Sequence, residues 1–203
     1  QATYVNFWKI MNINLFPLGI VAFPNKSIPL HIFEERYKKM INNCMNNKEE
    51  FGVVYQNKKG IANVGCTVNV TKLLKKYSDG RMDIMSKGNK IFRLDSKRVV
   101  DEIVVGEITI LPDPDPLSKK IFDPLLEKYL KLLITLGVGA NLENHLNKSS
   151  TFQLLESVQL SPDFELELIS MKSELERAEF LNHFFNSLLE QSDLFKNTNR
   201  FNS

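Results

Sequence analysis

The sequence has little of what metal centres, disulfide frameworks and membrane spans are built from. Its 203 residues hold two cysteines, Cys44 and Cys66, which form neither a CxxC pair nor part of a metal-ligand cluster. Each falls on the apolar face of its own element, so both are expected to be buried thiols. With no basic-then-apolar leader in the first residues, they fit a reducing cytoplasm. The three histidines, His31, His145 and His183, are isolated, and nothing resembles HExxH. No apolar run approaches the ~20 residues of a membrane span. The longest, Leu132 to Ala140, is broken by Thr135, Gly137 and Gly139. No GxxxxGK[ST] loop is present to cradle phosphates: Lys59-Gly60 and Lys87-Gly88 have the order reversed. A GxSxG elbow is also missing. These absences lead us to expect no cofactor, no metal, no catalytic residue and no hydrolysis of ATP or peptide by this chain alone.

What the sequence does have is ordinary for a globular protein: 43% hydrophobic and 25% charged residues, with 14 Phe, 5 Tyr and 1 Trp. The net charge of +2 hides an asymmetry. Residues 1–111 carry 17 Lys+Arg against 10 Asp+Glu, a balance of +7; residues 112–203 carry 9 against 14, a balance of −5. The basic residues are scattered in small clusters, Lys38-Lys39, Lys58-Lys59 and Lys75-Lys76, which argues against a nucleic-acid footprint.

Periodicity divides the chain at Leu111-Pro112-Asp113-Pro114-Asp115-Pro116, where alternating prolines forbid both ladder and helix. Before it, a helical period through Phe33, Tyr37, Met40, Ile41 and Cys44 gives way to the apolar strand Phe51–Tyr55. Pro29 bars that helix from running back, and Asn46-Asn47 closes it. Val64, Cys66, Val68 and Val70 alternate with polar residues as a half-buried strand. Asp79-Gly80 predicts a tight hairpin turn, and Arg81–Lys87 its return. Gly88-Asn89 predicts a further turn into Lys90–Leu94. Ile103–Ile110 is another strand, with Gly106 at a bulge or close approach. After the prolines, helical spacing runs from Ile121 to Leu133 with a stop at Gly137. A short helix is expected over Thr151–Leu160, another opens at Ser161-Pro162, and Ser173 with Glu176 forms a capping box for a last helix. The tail from Gln191 is expected to fray. The expected architecture is α+β: a barrel-like β region with one embedded helix over 1–111, a connector over 112–116, and an α-helical bundle over 117–203.

Several segments carry a family likeness. Leu15-Phe16-Pro17-Leu18, Phe23-Pro24, Pro29-Leu30-His31-Ile32-Phe33-Glu34-Glu35-Arg36-Tyr37 and Phe51-Gly52-Val53-Val54 follow one another, then Val64-Gly65-Cys66-Thr67-Val68, Asp79-Gly80-Arg81, Gly88 with Phe92-Arg93-Leu94, and Leu175-Glu176-Arg177-Ala178-Glu179-Phe180-Leu181. In this order they resemble the amino-terminal, substrate-binding domain of Lon-type proteases. Glu35 stands where many relatives have Pro. The resemblance implies a PUA-like pseudo-barrel followed by helices. It also implies non-catalytic recognition of unfolded or hydrophobic polypeptide, linked to a protease or ATPase partner. PUA-like barrels also host nucleic-acid or small-ligand sites, which is the alternative function.

The candidate polypeptide-binding residues are Glu34, Glu35, Arg36, His31, Phe16, Phe23 and Arg81. Adjacent carboxylates on a helix splay about 100° apart, so Glu34 and Glu35 do not converge as an acid–base pair. They suit a helix's first turn, with Arg36 anchoring a neighbouring loop. The resemblance instead implies that this helix start contacts substrate. His31 reads as a residue bonded to backbone or as a contact, and Arg81 as turn chemistry or the mouth of a groove. Phe7, Trp8, Phe16 and Phe23 lie in Pro-containing segments and read either as core or as the lining of an apolar groove.

Overall fold

The computed structural model describes residues 9–137, 142–156, 158 and 160–200, which leaves Phe7, Trp8 and Gly139 outside it. The elements in chain order are β1 (Ile10–Leu18), β2 (Ser27–Ile32), α1 (Glu35–Asn47), β3 (Phe51–Asn57), β4 (Gly60–Lys76), β5 (Met82–Val100), β6 (Ile103–Ile110), α2 (Lys119–Thr135), α3 (Glu143–Leu146), α4 (Thr151–Leu155), α5 (Pro162–Ser170) and α6 (Glu174–Arg200). They form an α+β fold with a helical carboxy-terminal part. Two compact units divide the chain: residues 1–113 with 160–170, and residues 114–159 with 171–203.

The first unit is built on one six-stranded sheet in the order β2-β5-β4-β3-β1-β6, closed by a further pairing of β5 with β6. Closure depends on the length of β5. Its residues Met82–Lys87 pair with β2, and Phe92–Val100 pair with β6. β1 and β3 are parallel, joined through β2 and α1; the other pairings are antiparallel.

Proline hid two of these strands from the sequence reading. Pro17 is tolerated in β1 because β6 pairs only as far as Leu15, so Pro17 has a ladder on the β3 side alone. Pro29 is tolerated in β2 because β2 is an edge. The turn expected at Gly88-Asn89 is absent, and β5 runs straight through. Gly88 is needed there for a different reason: a Cβ would lie 2.1 Å from the Phe23 carbonyl oxygen. Gly106 does mark a close approach, since a Cβ would lie 2.7 Å from Leu94 and 2.8 Å from Leu15.

Opposite faces of the strands feed separate clusters. Phe16, Phe51, Val53, Cys66, Val68 and Ile84 pack with Tyr37, Met40, Ile41 and Cys44 of α1. Ile13, Leu15, Val54, Phe92 and Ile108 pack together on the other face. The helical stripe of α1 is therefore as the spacing predicted, except at its start. Phe33 lies before the helix and is 59% exposed. The helix ends on Lys48 in the left-handed region (φ 56°), whose N–H reaches the Cys44 carbonyl. Burial pushes the Cys44 thiol up to about 11 and the Cys66 thiol to about 12. α5 belongs to this unit: Lys26 Nζ donates to both carboxylate oxygens of Glu165 (2.7 and 2.8 Å) and to the Val21 carbonyl (2.8 Å).

The second unit is helical. Leu125, Tyr129, Leu132 and Leu133 of α2 and Ala178, Leu181 and Phe185 of α6 are buried, and the two helices pack together. Arg177 is 2% exposed. It donates to Glu174 (2.8 and 3.1 Å), to Thr151 Oγ1 (3.3 Å) and to the Met171 carbonyl (2.8 Å), and lies 4.6 Å from the Phe152 ring centre. Of the capping box expected at α6, the Ser173 half forms, Oγ accepting from Glu176 N–H (3.1 Å), while the Glu176 carboxylate accepts from Lys172 N–H (3.2 Å). α4 is shorter than expected, and its capping box of Ser150 and Gln153 was not foreseen. α3 was not foreseen either; His145 sits in it with Nδ1 2.8 Å from the Tyr129 hydroxyl. α6 runs on to Arg200 instead of fraying from Gln191.

Candidate functional site

The start of α1 and the β5–β6 hairpin enclose a shallow depression of about 530 Å³, lined by Glu34, Glu35, Arg36, Val99, Glu102 and Val104. The helix start is shaped by Glu34, which takes the N-cap position with extended backbone (φ −74°, ψ 134°) but makes no side-chain cap bond. Its carboxylate is engaged by Arg36, from Nε at 2.9 Å and Nη2 at 2.7 Å. That bond is the main cause raising the Arg36 guanidinium above its ordinary range. Arg36 also lies 4.6 Å from the Tyr37 ring centre, and Tyr37 stacks on Phe16 at 4.0 Å. Glu35 pairs with Lys38 one turn on.

The opposite wall is a two-residue hairpin turn, Asp101-Glu102, between the paired Val100 and Ile103. Both turn residues are left-handed (φ 48° and 65°), the geometry that matches strand twist and ordinarily selects Asn or Gly. Arg36 Nη1 donates to the Glu102 carbonyl at 3.0 Å and so ties the turn to the helix. The hairpin presents Val99, 71% exposed, and Val100, 44% exposed. The site thus offers exposed branched apolar surface beside three carboxylates, of which Glu34 and Glu35 are already ion-paired, and one guanidinium held in place. Among the described residues no group of three or more His, Cys, Asp and Glu is gathered to hold a metal.

Of the seven residues singled out in the sequence, Glu34, Glu35 and Arg36 meet at this depression. His31 and Arg81 meet elsewhere, around Tyr77. His31 Nδ1 lies 2.5 Å from Asp83 Oδ1, so its partner is a carboxylate and not the backbone. Tyr77 donates to the second Asp83 oxygen (2.7 Å). Those two bonds hold the Asp83 carboxyl below its ordinary value. Arg81 pairs with Asp79 at 2.7 Å and lies 5.0 Å from the Tyr77 ring centre. Phe16 and Phe23 are buried, 7% and 1% exposed; the Phe16 ring packs in the cluster between the sheet and α1, and Lys26 Nζ stands 4.7 Å from the Phe23 ring centre. The sequence reading missed Val99, Glu102 and Val104. Asp101-Glu102 carries no residue that announces a turn, so the hairpin displaying the valines was unmarked.

The family model of the ATP-dependent protease La (Lon) substrate-binding domain matches residues 12–192. The chain belongs to the Lon substrate-binding domain family. A Lon protease from Parabacteroides distasonis is 26% identical over 132 residues, 60% of this chain. That match spans 16% of the Parabacteroides protein, so the chain corresponds to a small part of that protease. A Lon N-terminal domain protein from Xanthomonas campestris superposes with a TM-score of 0.68 at 26% identity, covering 86% of this chain and 98% of that one. The N-terminal domain of Mycobacterium avium complex Lon protease gives 0.69 at 11% identity over 87% and 98%, a likeness of fold alone. The family model covers the substrate-binding domain, and both Lon structures are of amino-terminal domains.

Proposed function

We propose that this chain is a non-catalytic recognition module that binds unfolded or hydrophobic polypeptide segments and serves ATP-dependent proteolysis carried out elsewhere. The observation that carries the reading is exposed Val99, with half-buried Val104 lining the same depression, beside the charged start of α1 in a member of a substrate-binding family. Branched side chains left in water gain by covering an apolar segment. Glu34 and Glu35 are already paired with Arg36 and Lys38, which leaves the Glu102 carboxylate to favour a positively charged flank, and Arg36 ties the two walls through the Glu102 carbonyl. We place this activity in the cytoplasm, a reading supported by two free, buried thiols.

Fluorescence anisotropy with labelled, reduced and carboxymethylated α-lactalbumin tests the proposal. Micromolar binding, roughly −8 kcal/mol, is expected for the unfolded probe, with none for the native protein. Val99→Asp weakens it about tenfold if the hairpin is a central contact. Equal binding of native and unfolded probe, or indifference to Val99→Asp and Arg36→Glu together, refutes the assignment to this site.

A further inference from the structure

Closing the sheet through β5 and β6 leaves β2 outside the closed ring, paired with β5 alone. Which backbone groups remain unused follows from the pairing. Gly88 N–H donates to the Lys26 carbonyl at 3.0 Å, so residues of even number on β2 turn their backbone to β5. Ser27, Pro29 and His31 therefore turn theirs outward. Ser27 and His31 each offer a donor and an acceptor, and Pro29 offers an acceptor. The side chains divide in the same way, with Ile28 and Ile32 buried and Ser27, Pro29 and His31 exposed.

The exposed face is basic. In register across the sheet, Pro29 is followed by Met85 of β5 and Lys72 of β4, and His31 by Asp83 and Lys75. Lys87 lies opposite Ser27. The one carboxylate of these rows, Asp83, is already bonded to His31 and Tyr77. Lys72 and Lys87 have no ion pair among the described residues. Phe33, just past the end of β2, is 59% exposed, with its ring stacked 6.0 Å from that of His31.

We infer that an extended polypeptide segment bearing acidic residues at alternate positions adds to β2 as a further strand. Alternation follows from strand geometry, since every second side chain of the incoming segment joins the lysine-bearing face. The other side chains fall beside half-buried Leu30 and are suited to being apolar. An outward row of backbone donors and acceptors is satisfied by another backbone and not by a lipid headgroup or a phosphodiester, which decides among anionic partners. The inference rests on the polypeptide-binding reading above but uses a different surface and the opposite charge.

The test is anisotropy of the full chain with a fluorescein-labelled peptide alternating glutamate and valine, followed by amide hydrogen exchange. The glutamate peptide is expected to bind, to slow exchange at Ser27 and His31, and to lose at least about tenfold in affinity when alternate amides are N-methylated or lysine replaces glutamate. The triple variant Lys72→Glu, Lys75→Glu, Lys87→Glu, with circular dichroism unchanged, is expected to lose a similar factor. Undiminished binding of the N-methylated peptide refutes strand addition. Failure to bind the glutamate peptide, with or without binding of phosphatidylglycerol vesicles or RNA, refutes the inference. If the glutamate peptide fails to bind, or binds while Ser27 and His31 exchange unchanged, and carboxymethylated α-lactalbumin still binds, this inference fails and the proposed function stands. If neither probe binds, both fail.

Discussion

Arg177 shows how far a single residue can carry an element. It is fully buried, yet each edge of its guanidinium meets an acceptor, which offsets the cost of taking the charge out of water. Its truncation would leave Glu174, 4% exposed, as a buried carboxylate without a counter-ion, held only by the Thr151 N–H at 2.6 Å. Arg177→Ala is expected to lower stability by about 3–5 kcal/mol in urea titration. Adding Glu174→Leu should restore part of that loss; no recovery would show that the carboxylate is not the source of the cost. Asp83 makes a prediction in pH. Its folded carboxyl titrates below the ordinary 3.8, with the bond to His31 the largest cause. Its contribution to stability is therefore complete above that value and is lost as pH falls through the folded value. In a carbon-13 carboxyl titration, His31→Ala should move Asp83 back up towards 3.8. An unmoved midpoint would assign the shift to Tyr77.

Elements differ in how plainly the sequence announces them. Asp79-Gly80 was legible as a turn because Gly80 adopts φ 83°, which glycine takes without strain. Asp101-Glu102 makes a tighter, two-residue turn with residues that carry no such signal, so β5 and β6 could not be joined in advance, and the valine-bearing hairpin went unseen. Glu102 at φ 65° carries strain that glycine would not. Left-handed backbone costs about 1–2 kcal/mol, against roughly 0.5–1 kcal/mol for glycine's freedom in the unfolded chain. Arg36 bonds the backbone carbonyl, so that contact survives the change. Glu102→Gly is thus expected to stabilise by about 0.5–1 kcal/mol in urea titration; destabilisation would mean that the Glu102 side chain contributes something the geometry does not show. β1 and β2 were hidden for a related reason. Proline in a strand reads as a break, and only the pairing shows that Pro17 and Pro29 fall where a ladder lacks one side. The stripe of α1 was legible because tertiary packing uses the same positions that its period selects. Glu34, Glu35 and Arg36 were legible through their motif, but no pattern told that Phe16 and Phe23 are core while His31 is surface.

At the scale of the whole molecule, the order of residues and the grouping of elements part company. The chain builds the sheet, leaves it at the prolines, returns for α5 and leaves again. A fragment ending at residue 113 keeps every strand but loses Glu165, the partner of Lys26. It is expected to unfold at lower urea than the full chain, and adding residues 160–170 as a separate peptide should recover part of the loss. Equal midpoints for fragment and full chain would make α5 a passenger. The opposite charge balances on the two sides of the prolines, +7 and −5, follow sequence and not these units, since α5 brings the acidic Asp163, Glu165 and Glu167 to the basic part.

The same path has a consequence for synthesis. A ribosome releases the amino end first, so every strand has emerged while the codons for Glu165 are still unread. Lys26 must wait some 139 residues for its counter-ion, and the nascent sheet meets the cell unfinished for that interval. Anything that stalls translation between the prolines and α5 would prolong the exposure of a half-made protein.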